Sequence, residues 1–82
     1  MRQLSYGTAR CGERTIRYDL LVEELAADVE TYGVSASMEG EETSIAYLTI
    51  SQRRIETLLE RLRRGSVTPV ALRDVVEDWL EE

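Results

Sequence analysis

SQRRIETLLERLRRGSVTPVALRDVVEDWLEE, residues 51–82, carries the helical period in two separate segments. In the first, Ile55, Leu58, Leu59 and Leu62 recur at three- and four-residue intervals, which lines them up on one side of a helix. Ser51 ahead of them is a good N-cap, and Gly65 behind them is a C-terminal stop. The second segment offers Thr68 as N-cap and Pro69 at the first helical position, where the missing N–H costs nothing. Leu72, Val75, Val76, Trp79 and Leu80 then repeat the apolar spacing. A helical hairpin with two apolar stripes needs a surface to cover, and the remainder of the chain must supply it.

Residues 1–50 are rich in β-branched residues and tyrosine and are broken by glycine. Runs at Gln3–Arg10 and Thr15–Val22 flank a turn at Cys11–Arg14, which predicts a first hairpin. Ile16, Tyr18, Leu20 and Val22 alternate with mostly polar neighbours, the period of a half-buried strand. Tyr32–Met38 and Thr43–Ile50, around the turn Glu39–Glu42, predict a second hairpin. Between the hairpins, Leu20–Val29 reads two ways: Leu21, Leu25 and Val29 have helical spacing, and Glu23–Ala27 has high helix propensity. The expectation is an α+β domain: an antiparallel four-stranded sheet of two hairpins, followed by two amphipathic helices packed on one face. It is a single domain over 1–82, with 1–50 mainly strand and 51–82 the helical hairpin.

The 82 residues suffice for one compact core and leave little stability to spend on a strained catalytic pocket. With 43% hydrophobic residues the chain should fold, yet no apolar run is long enough for a membrane span or a signal peptide, so a cytoplasmic location is the default. There is no histidine and a single cysteine, which removes the usual zinc and general-base sites and any internal disulfide. Cys11 therefore reads as a free thiol in a turn. A reactive role would require nearby positive charge, for which Arg10 and Arg14 are the candidates.

The segment Gly65–Leu80, and above all Val67-Thr68-Pro69 leading into Asp74-Val75-Val76-Glu77-Asp78, resembles the C-terminal end of a family of small uncharacterised proteins from clostridia and related Firmicutes. Tyr32-Gly33-Val34, Ile45 and Ile50-Ser51 ahead of a leucine-rich helix resemble it too, whereas the first fifteen residues add little. The resemblance implies a bacterial cytoplasmic setting. It implies no activity, cofactor or site residue.

No motif points to catalysis, to a cofactor or to a metal. Glu39, Glu41 and Glu42 around Gly40 lack the ligand spacing of a calcium loop, and the five glycines are too scattered for a phosphate cradle. Charge is the informative signal that remains. The net charge is −6, and all ten basic residues are arginine. The second helix carries Asp74, Glu77 and Asp78 opposite its apolar stripe, so insertion into a DNA groove would be repelled by phosphate. The first helix is more basic, with Arg53, Arg54, Arg61, Arg63 and Arg64. Glu77, Asp78, Glu81 and Glu82 crowd a helix C-terminus, where the macrodipole disfavours negative charge. Either an intramolecular pairing with Arg53 and Arg54 or the basic surface of a partner would compensate. The leading expectation is a non-catalytic protein–protein interaction or regulatory module whose surface includes Arg53, Arg54, Arg61, Arg64, Asp74, Glu77 and Asp78. The alternative is a nucleic-acid-associated regulator using the arginine-rich first helix. Two open sheet edges also predict a homodimer, and Trp79 is expected in the core.

Overall fold

The computed structural model describes the chain from Met1 to Glu82. Four strands, β1 (Arg2–Cys11), β2 (Arg14–Ala26), β3 (Val29–Met38) and β4 (Glu41–Thr49), precede two helices, α1 (Gln52–Arg64) and α2 (Leu72–Leu80). The strands form one antiparallel sheet in the order β1-β2-β3-β4. A β2–β3 hairpin thus joins the two hairpins expected from sequence. β2 has 13 residues, and at about 3.3 Å per residue it accounts for the 43 Å long axis of the molecule.

The ambiguous stretch Leu20–Val29 is strand as far as Ala26, then a two-residue turn in which Asp28 adopts φ 63°. Helical spacing lost here because Leu25 and Val29 have nothing to pack against and stay exposed, whereas pairing with β3 satisfies the backbone.

Both helices cover one face of the sheet. Ile16, Tyr18, Val34, Ala36 and Met38 from the strands meet Ile55, Leu58, Leu59 and Leu62 of α1 and Leu72, Val76 and Trp79 of α2. At about 1.5–3 kcal/mol for each fully buried aliphatic side chain, the four of α1 alone are a major share of what holds the layers together. On the uncovered face, Ser5, Asp19, Ser35 and Ser44 form a row across all four strands. Asp19 is nearly buried there, accepting from Gln3 Nε2 at 2.7 Å and lying 3.5 Å from Arg17 Nε. Neither helix has the length and apolarity to cross a membrane.

The helix ends depart from expectation in three places. Ser51 caps α1 as read, its Oγ accepting from the Arg54 N–H at 3.2 Å. Gly65, however, stays right-handed, and Ser66 takes the left-handed turn at φ 49°. The N–H groups of Ser66 and Val67 return to the carbonyls of Arg63 and Leu62, so the helix stops before Gly65 as expected, and only the left-handed residue that glycine usually supplies comes one position later. Thr68 and Pro69 do not start α2. They open a turn closed by Ala71 N–H to the Thr68 carbonyl, with Pro69 buried, and the helix follows from Leu72. Leu80, about 100° around the helix from Trp79, falls at the edge of the buried stripe and is 50% exposed.

One glycine is dictated by its neighbours. A Cβ on Gly33 would lie 2.2 Å from the Ile45 carbonyl oxygen, because β4 bulges between Ile45 and Thr49 and presses on β3. Tyr47 sits in that bulge at φ 59° and is exposed, unlike Tyr18, which is in the core.

Candidate functional site

The apolar stripe of α1 faces the sheet, so its remaining residues face solvent. Arg53, Glu56, Thr57, Glu60, Arg61 and Arg64 border an open depression of about 570 Å³ without one apolar residue in its lining. Glu60 is its hub. It accepts from Tyr6 Oη at 2.8 Å, from Arg63 through Nε at 3.1 Å and Nη2, and from Arg64 Nε at 3.1 Å. The bonds from Arg63 first, and then from Tyr6, hold its carboxyl down to about 2. This cluster ties the β1 edge to α1, and Tyr6 reaches it because an extra residue in β1 between Ser5 and Gly7 breaks the register with β2.

The acidic end of α2 meets α1 by a different pairing from the one expected. Glu82 forms a two-pronged pair with Arg61, one contact being Nη2 to Oε1 at 3.1 Å. Arg53 pairs with no carboxylate, and the Arg54 guanidinium carbon lies 4.5 Å from the centre of the Trp79 ring. Arg54 is thus engaged by the Trp79 ring, and Arg61, two turns further along α1, takes the carboxylate. The ring is 3% exposed, so its placement in the core holds.

The sequence-selected residues therefore separate into two groups. Arg53, Arg61 and Arg64 share the α1 depression, with Arg54 at its margin against Trp79. Asp74, Glu77 and Asp78 are exposed on α2, outside that depression. With Glu81 they make no ion pair in the chain. Val70, 78% exposed, and Leu80 flank them. Glu60 and Tyr6 were missed as participants. The spacing of Glu60 three and four residues before Arg63 and Arg64 was a usable signal, whereas nothing local marks Tyr6.

Cys11 is a half-buried free thiol packed against the core. Aspartate, glutamate and cysteine side chains nowhere gather in threes close enough to hold a metal ion. No curated protein and no solved structure matches the chain. The model of one family matches residues 3–82, every strand and helix apart from Arg2. The chain belongs to that family, the Family of unknown function (DUF6514).

Proposed function

We propose that the chain is a non-catalytic interaction module of the bacterial cytoplasm that presents the outer face of α2 to a basic protein partner. The observation that carries this reading is the contrast in pairing. Arg61, Arg63 and Arg64 are engaged by carboxylates of their own chain, whereas Asp74, Glu77, Asp78 and Glu81 have none. Those four carboxylates, with Val70 and Leu80 beside them, offer charge at the rim and apolar area for contact. Complementary charge of this kind steers encounter and selects partners more than it adds affinity.

Capture from a host lysate with the wild-type chain and with the Asp74→Lys/Glu77→Lys/Asp78→Lys variant tests the proposal. The wild type retains a basic protein that the variant loses, while both melt at similar temperatures because the three positions are exposed. Equal retention by the two overturns it. The alternative is nucleic-acid binding through the basic helix, and the unpaired charges of Arg53 and Arg54 favour it. It requires binding that weakens steeply with salt, and an anisotropy titration with duplex and single-stranded DNA and RNA separates the two readings.

A further inference from the structure

The two sheet edges carry opposite charge. β1 contains Arg2 and Arg10 and no carboxylate, and β4 contains Glu41 and Glu42 and no basic residue. Arg2 is taken up by Glu30 of β3, which leaves Arg10, Glu41 and Glu42 exposed and without ion partners. Both edges are also regular over the same part of the sheet. The irregularities fall beside Tyr6 in β1 and after Ile45 in β4, so Gly7–Cys11 and Glu41–Ile45 are undisturbed five-residue runs. The rows Thr8–Arg17–Ser37–Glu42 and Gly7–Tyr18–Ala36–Thr43 place these runs at the same end of the molecule.

From this juxtaposition we infer that a second copy of the chain docks edge to edge, the β1 of one copy continuing the sheet antiparallel to the β4 of the next. The strand alternation permits it. Ala9 packs on the core side, so Arg10 lies on the uncovered face, and Glu42, in the row of Arg17 and Ser37, lies on that face too. A register that sets Arg10 opposite Glu42 sets Ala9 opposite Thr43 and Gly7 opposite Ile45, which keeps the core sides of the two sheets continuous. Two-fold pairing of like edges would join acidic to acidic or basic to basic strands. Head-to-tail pairing joins unlike ones and does not close on itself after two copies. This contact uses neither α2 nor its carboxylates, and it stands or fails apart from the proposal above.

Sedimentation of the full chain over a concentration series at low salt tests it. The weight-average mass of the wild type rises past that of a dimer with concentration and falls back when salt is added. Arg10→Glu and Glu42→Arg each shift the association to roughly tenfold higher concentration, since replacing an opposed pair by a like pair is worth about one factor of ten. An equimolar mixture of the two variants regains the wild-type behaviour, because each interface again joins Arg to Glu, and the Arg10→Glu/Glu42→Arg double variant regains it within one chain. Thermal melts establish that all variants are folded. A wild type that stays monomeric throughout, a mass that levels off at the dimer, or a mixture no better than its components overturns the inference.

Discussion

α1 and α2 pack on the same sheet and hold their conformation by different means. α1 has 13 residues, a side-chain N-cap from Ser51 and arginines 61, 63 and 64 in its last turn, where they favour the macrodipole. α2 has nine residues, Ala71 at its N-cap with no side-chain bond, and no basic residue in its last turn. A helix that short is marginal alone, so α2 is held by what it buries: Leu72, Val76 and Trp79. The difference explains where the exposed charge goes. α1 engages Arg63 and Arg64 with its own Glu60 and Arg61 with Glu82, and α2, held by its buried side, leaves Asp74, Glu77 and Asp78 outward.

The sharpest way to break this account is at Trp79. Replacing it with alanine removes the largest side chain that α2 buries and the ring beneath Arg54. Large-to-small replacement of a buried tryptophan costs about 3–5 kcal/mol, a large part of what a domain of this size holds. Thermal melting should show a Trp79→Ala chain unfolded or nearly so at physiological temperature. An unchanged melting temperature, with red-shifted wild-type tryptophan emission, would mean that α2 does not depend on its buried side. Next comes Tyr18→Phe. The Tyr18 hydroxyl donates to the Val67 carbonyl at 2.7 Å, pinning the connector between the helices from beneath. Leaving a partly buried carbonyl unmet costs about 1–3 kcal/mol, and denaturant unfolding would register it. Burial also pushes the Tyr18 phenol up to about 12 from an ordinary 10.0. The corresponding stability is present below 10 and is lost as pH rises from there toward 12.

The limits of α1 were legible because every signal for them is local: a serine, an apolar stripe and a glycine within fifteen residues. The strand alternation was legible for the same reason at Ile16 and Tyr18, but beyond them both sides of β2 are covered, with Asp19 and Leu21 buried and Leu20 half-buried. The path from Glu23 to Ala27 was not legible, since local helix propensity was overridden by pairing with β3, a choice made by residues further along the chain. The start of α2 misled because Thr68-Pro69 suits a turn as well as an N-terminus. Burial of Pro69 settled it. At the candidate surface, the Glu60 pairs with Arg63 and Arg64 follow from helical spacing, but Arg61 and Glu82 are 21 residues apart and meet only through packing. The bulge at Tyr47 left a trace only in Gly33, whose need to be glycine lies in the carbonyl of another strand.

The caps sharpen the comparison at a smaller scale. Ser51→Ala removes the side-chain acceptor for the Arg54 N–H and should cost about 1 kcal/mol. Ala71→Ser should gain almost nothing, because Ala71 already has helical backbone angles, φ −87° and ψ −9°, rather than the extended ones from which a serine reaches forward. Paired denaturant titrations of the two variants measure this asymmetry. A comparable change at both positions would show that the two helices begin in the same way.

The smallest effect lies in the charge pairing of α1, and acid reveals it. The Glu60 carboxyl, ordinarily at 4.5, is held down to about 2 by its bonds from Arg63 and Tyr6. As pH falls below 4.5, an unfolded chain takes up a proton at this position while the folded chain does not until about 2. The unfolded state is therefore favoured progressively across that window, and above 4.5 the contribution is constant. Glu82, lowered by its bonds from Arg61, acts in the same direction. Both carboxylates are at the surface, so solvent and salt screen most of the effect. Melting temperatures of wild type and Glu60→Gln, followed from neutral pH down to about 2, should differ most at neutral pH and converge through the acid range, with the gap narrowed by added salt. Lines that remain parallel would mean that the Glu60 cluster contributes nothing to folding, and that α1, like α2, is held by its buried side alone.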